Sequence, residues 1–399
     1  MKFSIKHISL RLLLLLVVAG IGPSCEKDEP AANNGEPVVY YVRSTEPAKA
    51  DSLLAGAFMG NLIAIVGDNL GDTREMWFND QRATLNPTYI TNKTILVNVP
   101  STVPAEVTNQ IRFVFGDGSE YRYDFSVNVP GPVLTGIKCE YVPDGQTAVL
   151  YGDFFFEPKV FFPGDKEAEV VNFDKTFVEV TVPDGSVPGQ IELRTKFGKA
   201  RSSFYFRDDR NTILDFDNLL HETWTAPIAN AAENPDPAPC SGNYAYFKND
   251  ADGAWMWVNE LTMQYWAPRG RGNRPLATGS INDLVFRFEA NVPIEWKDVR
   301  MEIFLGPYAE DHGRDAAATA VARWQPWKNG PYTTDGWQTI SIPLTEFKYY
   351  KDDPADAATG TRMIENLSSL TNVTMMLFGP ADGANPVYIA FDNVRIVEK

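Results

Sequence analysis

The chain has 399 residues, a formal net charge of −16, and 44% hydrophobic and 12% aromatic residues. This apolar content is enough to fill the cores of two or three domains, so a wholly disordered chain is excluded. An acidic surface repels phosphate groups, which argues against nucleic acid and anionic lipid headgroups as partners but is compatible with a neutral ligand.

The first 24 residues have the layout of an export signal. An apolar core over residues 12–21 is shorter than the ~20 residues that a membrane-spanning helix needs. Cys25 follows small residues, and the run 22–25 resembles a bacterial lipobox, in which the cysteine is lipidated and becomes the mature N-terminus. Residues 26–29 are rich in charge and resemble the export signal of Bacteroidetes surface lipoproteins. Residues 25–37 then read as a lipidated tether, while an ordinary signal peptide with an incidental cysteine remains the alternative. The signal begins with three basic residues: Lys2, Lys6 and Arg11.

Two similar stretches of short predicted strands follow, over residues 38–130 and 131–208. Turn residues separate the strands, and Pro130-Gly131-Pro132 forms a stiff boundary between the stretches. Nearly equal offsets indicate an internal duplication, since a duplicated module repeats its turns in the same order. Three landmark pairs recur at offsets of 85, 83 and 82 residues: Gly67 with Gly152, Pro100 with Pro183, and Gly116 with Gly198.

Each copy has the size and strand rhythm of an immunoglobulin-like (Ig-like) sandwich. The order of an apolar strand, Gly-Asp-x-Leu or Gly-Asp-x-Phe, and Thr-x-x-x-Val-x-x-Pro resembles the IPT/TIG family of Ig-like domains. The resemblance implies that both copies are spacers. The alternative is that Trp77 or the run Phe154-Phe155-Phe156 forms a second ligand surface.

Residues 209–399 change in character. Several segments alternate apolar and polar residues as half-buried strands do, among them 284–290, 299–304 and 339–344. Long loops separate them. We therefore predict an all-β chain in which two tandem Ig-like sandwiches precede one larger β-sandwich of jelly-roll type.

Tryptophan is concentrated in this C-terminal region, where eight of the nine lie at or beyond Trp224. An indole face is broad and apolar, so it stacks on the C–H face of a pyranose ring while the sugar hydroxyls stay solvated. On a strand, Trp255 and Trp257 would share one face. We interpret Trp296 and Trp337 as structural. The candidate ligand contacts are six tryptophans: Trp224, Trp255, Trp257, Trp266, Trp324 and Trp327.

The segments 322–327 and 336–347, with Phe391-Asp392-Asn393-Val394-Arg395 at the end, complete a resemblance over nearly the whole chain. The chain resembles surface glycan-binding proteins of Bacteroidetes polysaccharide-utilisation systems, and residues 209–399 resemble their xyloglucan-binding domain. This implies a non-catalytic outer-membrane lipoprotein that captures xyloglucan or a related plant β-glycan beside a TonB-dependent transporter and a companion binding lipoprotein. It also implies that the binding platform maps onto Trp224 and the pair Trp255 and Trp257.

Two other functional classes stay open, namely a β-sandwich glycoside hydrolase or lyase and a protein-binding adhesin. Glu222, Glu260 and Asp311 are candidate carboxylates, yet no spacing singles out a catalytic pair, a metal-ligand set or a cofactor motif. We therefore predict no catalytic residue, no cofactor and no metal, and interpret the charged loop 310–315 as solvated rather than cation-binding. Whether Cys139 and Cys240 form a disulfide is left open, with two buried free thiols as the alternative.

Overall fold

A computed structural model describes residues 35–49, 51–253, 258–265, 274–307, 319–349, 361–380 and 382–399. These residues form β-strands and short 3-10 helices, and they contain no α-helix. None of the helices in this part of the chain is long or apolar enough to cross a membrane. The all-β prediction is confirmed. The chain divides into two compact units, with the division between Pro130 and Gly131. The predicted limits of the three domains stay predictions.

The first unit contains two sheets and a short parallel strand pair. The sheets have the strand orders β1-β3-β6 and β5-β4-β7-β8, and β2 pairs with β9. The 3-10 helices are Pro47–Lys49 and Pro87–Tyr89. Its strands are β1 (Val38–Ser44), β2 (Gly56–Phe58), β3 (Leu62–Asp68), β4 (Thr73–Phe78), β5 (Gln81–Arg82), β6 (Thr94–Asn98), β7 (Gln110–Phe115), β8 (Glu120–Asp124) and β9 (Ser126–Asn128).

The core of this unit follows from the period-2 alternation of its strands. Along β7, for example, every second side chain is buried, as expected where only one face of a sheet meets the core. The buried side chains come from both sheets and include Ile65, Met76, Ile95 and Phe113.

The second unit contains two four-stranded sheets near its N-terminus, with the orders β10-β11-β15-β14 and β13-β12-β16-β17. They enclose a core of their own, which includes Leu150, Val178 and Leu193. The strands are β10 (Val133–Ile137), β11 (Thr147–Asp153), β12 (Lys159–Phe162), β13 (Lys166–Glu167), β14 (Glu169–Phe173), β15 (Phe177–Thr181), β16 (Glu192–Thr195) and β17 (Gly198–Arg201).

The two predicted repeats share a local construction that explains one of their landmarks. Gly67 on β3 pairs with β1 beside a register shift, and Gly152 on β11 pairs with β10 beside an equivalent shift. A Cβ atom at Gly67 would lie 2.0 Å from the carbonyl oxygen of Val38, and one at Gly152 would lie 1.9 Å from that of Val133. Only glycine allows the neighbouring strand to approach this closely.

The remaining strands form a larger sandwich of two sheets. One has the order β19-β20-β28-β22-β25, with β18 also paired to β28, and the other has the order β21-β27-β23-β24-β26. The strands are β18 (Thr212–Leu214), β19 (Ile228–Ala229), β20 (Tyr244–Asp252), β21 (Thr262–Tyr265), β22 (Leu284–Asn291), β23 (Arg300–Gly306), β24 (Ala320–Trp324), β25 (Gln338–Pro343), β26 (Lys348–Tyr349), β27 (Asn372–Phe378) and β28 (Ala384–Glu398). The 3-10 helices are Ala231–Glu233, Asn259–Leu261, Pro326–Asn329, Leu344–Glu346 and Leu367–Ser369.

Strand β28 is the central element of this sandwich, since it pairs with β18, β20 and β22. The apolar core between the two sheets draws Phe288 from β22, Ile303 from β23, Met375 from β27 and Phe391 from β28. Burial on both faces explains why β22 has no exposed side chain along its whole length.

A buried ionic cluster joins the first sandwich of the second unit to the larger one. The guanidinium of Arg395 on β28 donates hydrogen bonds to Glu140 at 2.6 Å and to Glu289 at 2.7 Å. Arg287 on β22 donates to the other oxygen of Glu140 at 2.8 Å. All four side chains are buried. Glu140 lies just after β10, so this one carboxylate ties its loop to two strands of the larger sandwich.

Further contacts surround this cluster. The backbone N–H of Glu140 donates to the hydroxyl of Thr339, whose own N–H donates to the carbonyl of Lys138. Cys139 and Cys240 are both buried in the core of the smaller sandwich, and both are free thiols. The two cysteines are therefore not joined by a disulfide in this structure, which agrees with the alternative of two buried free thiols. Burial, together with a hydrogen bond to Cys139, raises the pKa of the Cys240 thiol.

We expect Glu140→Gln to destabilise the second unit by about 3–5 kcal/mol, because it leaves the charges of Arg287 and Arg395 buried with one carboxylate fewer. Urea unfolding followed by tryptophan fluorescence measures this, since the C-terminal region holds most of the indoles. Glu167→Gln is the matched control: it breaks an ion pair with Lys159 whose side chains are 66% and 52% exposed, so the cost stays below about 1 kcal/mol. Equal effects of the two variants would contradict a structural role for the cluster.

Candidate functional site

An exposed indole stands on a tight turn beside β21. Trp224 is 40% exposed, although the residues on either side of the turn are buried. The N–H groups of Glu222 and Ala226 donate to the carbonyls of Gln264 and Thr262 on β21, at 2.9 and 2.7 Å. Thr225 closes the turn by donating its N–H and its hydroxyl to the carbonyl of Glu222. The turn is thereby fixed at the sheet edge with its indole outward.

A buried histidine supports the same turn from beneath. The Nε2 atom of His221 lies 2.5 Å from the carbonyl oxygen of Ala226, and its ring packs edge-on against Phe216 at 5.4 Å. Because this imidazole is committed to the backbone and the core, we interpret it as a structural support for Trp224.

Strand β21 also contributes to an unusual sheet face. On the side of its sheet opposite the main core, polar side chains are buried together with a small apolar cluster of Phe304, Val321, Met376 and Phe378. Within this face Glu302 accepts hydrogen bonds from Arg300 and Arg323, each at 3.0 Å. The buried polar residues of the face are Thr262, Gln264, Glu302, Thr319, Asn372 and Thr374.

The outward face of the other sheet carries aromatic side chains that the sequence analysis missed. Tyr246 on β20 packs edge-on against Tyr388 on β28 at 6.0 Å, and the ammonium group of Lys248 lies 4.3 Å from the centroid of the Tyr388 ring. The alternation of polar and apolar residues along β20 is the signal that could have placed Tyr246 and Lys248 on one outward face.

Three of the tryptophans belong to the core of the larger sandwich. Trp296 is fully buried, and Trp324 packs edge-on against it at 5.0 Å. Trp327 is half-buried against the same core. The indole N–H groups of Trp296 and Trp327 both donate to the carbonyl of Val299 at 2.7 Å. Of the two predicted ligand contacts, Trp324 is buried in the core, and Trp327 packs against the core with its indole N–H bonded to the backbone. A ligand contact at either residue stays a prediction.

The other predicted tryptophans cannot be placed in the same way. Trp255, Trp257 and Trp266 lie outside the described residues, and so do Cys25 and the charged loop 310–315 with Asp311. Tyr265, the last residue of β21, directly precedes Trp266 in the chain.

The described candidate carboxylates differ in burial and in partners. Glu222 is buried at the base of the turn, and Glu260 is exposed in the helix Asn259–Leu261. Glu140, Glu289 and Glu302 are held in ion pairs with arginines. Among residues that the structure describes, no group of three or more His, Cys, Asp or Glu side chains could hold a metal ion.

The C-terminal part of the chain is similar to a known protein family. Residues 206–398 match the family model described as the surface glycan-binding protein B xyloglucan binding domain. A protein of Bacteroides ovatus named for its IPT/TIG domain is 32% identical over 179 residues, which cover 42% of this chain and 36% of that relative. The match thus spans only about a third of the relative.

Two solved structures are similar over most of the chain. The surface glycan-binding protein PbSGBP-B of Prevotella bryantii is 24% identical with a TM-score of 0.73, and the match covers 91% of this chain and 99% of that one. A surface glycan-binding protein B from a complex xyloglucan utilization locus in Bacteroides uniformis is 16% identical with a TM-score of 0.52, covering 92% and 100%. At these identities the likeness shows the fold.

The described chain is all-β, it exposes Trp224 on a hydrogen-bonded turn, and it holds Glu140, Glu289 and Glu302 in ion pairs with arginines. Residues 206–398 are similar to the xyloglucan-binding domain of the surface glycan-binding proteins B, and the predicted resemblance of the chain to such proteins is confirmed. The family and its structural relatives are glycan-binding proteins and not enzymes.

We expect Trp324→Ala to destabilise the second unit by about 3–5 kcal/mol, because it opens a cavity among Trp296 and Phe288. Trp224→Ala should change stability by no more than about 0.5 kcal/mol, as for an exposed site. Urea unfolding of both variants measures the difference. A cost for Trp224→Ala as large as that for Trp324→Ala would show that the exposed indole is structural as well.

Proposed function

We propose that this protein binds a polysaccharide at the cell surface by aromatic stacking on its C-terminal domain, without cleaving it. The observation that carries the proposal is the exposed Trp224 on a fixed turn, within the region that matches a glycan-binding family. A rigid indole loses little conformational entropy when a sugar stacks on it. Stacking also buries apolar area without desolvating hydroxyl groups.

The predicted platform combines Trp224 with Trp255 and Trp257, and Trp266 is the fourth candidate. Trp224 is the member whose exposure supports this role. The buried polar face of the sheet that contains β21 has amide, hydroxyl and charged groups in the same part of the domain. We leave Trp324 and Trp327 out of the proposed platform because Trp324 is buried in the core and Trp327 packs against it.

We further propose xyloglucan, or a related β-linked plant glycan, as the ligand. The matched family is described by its xyloglucan binding, and the related protein of Bacteroides uniformis comes from a xyloglucan utilization locus. An extended β-glycan offers successive pyranose faces to aromatic side chains, and its lack of charge suits an acidic protein of net charge −16.

The predicted N-terminal features complete the proposal. Lipidation at Cys25 would hold the protein on the outer membrane through the tether 25–37. There it would present the polysaccharide to a TonB-dependent transporter and a companion glycan-binding lipoprotein. The support for this role is the sequence of residues 1–37 together with the surface location in the names of the related proteins.

In affinity electrophoresis, we expect xyloglucan to retard the wild-type protein and Trp224→Ala to weaken the apparent affinity about three- to tenfold, since one aromatic stacking contact contributes about 0.5–1.5 kcal/mol. Trp224→Phe should recover part of the loss because it keeps an aromatic face. Ile228→Ala, at a residue that is 38% exposed on nearby β19, is the matched control and should bind as wild type does.

Two outcomes would contradict the proposal. Retardation of Trp224→Ala equal to that of wild type would remove this indole from the platform. Release of reducing sugar from the bound polymer by the wild-type protein would identify a hydrolase instead.

We expect Cys25→Ser to abolish incorporation of labelled palmitate and to move the protein from the outer-membrane fraction to the soluble fraction, because the lipid is the proposed anchor. Cys240→Ser should keep the label, since that thiol is buried. Membrane association of Cys25→Ser equal to that of wild type would contradict a lipid anchor at this position.

A further inference from the structure

A cleft of about 540 Å³ lies where the smaller sandwich of the second unit meets the larger one. One wall comes from the smaller sandwich and includes Gln146, Val149 and Glu179, and the opposite wall includes Trp337 and Asp335. The ionic cluster around Glu140 connects the same two sandwiches. Since that cluster fixes the two walls, the cleft is a preformed feature of the unit.

The indole in this cleft is held in one orientation. The N–H of Trp337 donates to the carbonyl of Ala238 at 2.7 Å, and the ring packs edge-on against Tyr244 at 5.3 Å. Trp337 is only half-buried, so part of its ring remains open to the cleft. It combines the two properties that a stacking platform needs, which are a fixed ring and an accessible face.

The smaller sandwich extends this surface beyond the cleft. Side chains alternate along β11 and β15, so Val149 and Glu179 form one outward cross-strand pair, and Tyr151 and Phe177 form the next pair on the same face. Tyr151 is 43% exposed. Adjacent pairs lie two residues apart along the strands, roughly 7 Å, so the two pairs form one continuous outward surface.

The polar groups of the cleft favour a neutral, hydroxyl-rich ligand. Lys138 and Asp335 are paired at 3.1 Å, which reduces the net charge that a ligand meets. Gln146, Thr147 and Glu179 contribute an amide, a hydroxyl and a carboxylate, and these groups donate to or accept from sugar hydroxyls. A protein partner would need a wider apolar surface than one indole beside this polar mixture.

We propose that this cleft, continued by Tyr151 and Phe177, is a second binding surface for the polysaccharide that the C-terminal domain captures. The inference rests on the proposed glycan-binding function and assigns a ligand to a repeat that its family resemblance implies is a spacer. A long polymer bound at both surfaces dissociates more slowly, because the second contact forms within the same complex.

The test uses the mature full chain and xyloglucan. In a Trp224→Ala background, Tyr151→Ala should weaken the remaining apparent affinity about three- to tenfold, the factor expected for one aromatic stacking contact. Tyr89→Ala is the matched control, because Tyr89 is a 52% exposed tyrosine of the first unit, and it should have no effect. Methyl NMR should also show that xyloglucan shifts the signals of Val149 but not those of Val107, which is exposed in the first unit.

The outcomes separate this inference from the proposed function. If xyloglucan retards the wild-type protein but leaves the Val149 signals unmoved and Tyr151→Ala without effect, the second surface is overturned while the C-terminal site stands. If neither xyloglucan nor any other polymer in a glycan panel retards the wild-type protein, the proposed function fails and this inference fails with it.

Discussion

The ion pair between Glu140 and Arg395 is the interaction on which the architecture of the second unit depends. It joins residues 255 positions apart in the chain, and its partners Glu289 and Arg287 are drawn from a second central strand. Burying charges is costly unless each is paired and hydrogen-bonded, and burial accordingly raises the pKa of Glu289 while Arg395 acts in the opposite direction. Any displacement of one sandwich relative to the other would leave these charges unpaired, so the cluster specifies one arrangement of the two sandwiches.

The tryptophans of the larger sandwich differ in whether their rings are buried or exposed. Trp296 and Trp324 are buried in the larger sandwich and pack on each other. Trp327 packs against the same core, and its N–H, like that of Trp296, donates to the carbonyl of Val299. Trp224 is held by backbone hydrogen bonds to β21, which leave its ring outside. The tryptophans of this domain therefore differ in exposure, and the proposed binding role belongs to the one whose backbone is anchored at the edge of the sheet.

The sequence predicted the repeated parts well because a duplication leaves a record in the residues that geometry requires. Gly67 and Gly152 mark the same close approach of two strands, and no other residue fits there. The core or surface role of each tryptophan was harder to predict, because an indole beside a strand has the same local sequence in both cases. The ionic cluster could not be predicted at all, since Glu140 and Arg395 look like ordinary polar residues until the two sandwiches are brought together.

The junction formed by the ionic cluster around Glu140 also affects how strongly two proposed binding surfaces act together on one polymer. A flexible linker would let the two surfaces move independently, and the effective concentration of the second would fall with linker length. Here no linker intervenes, because the loop that carries Glu140 is fastened to β22 and β28 while Trp337 packs against the core of the smaller sandwich. The cost of ordering the junction is met when the chain folds, so a polymer that reaches the second surface loses only its own freedom.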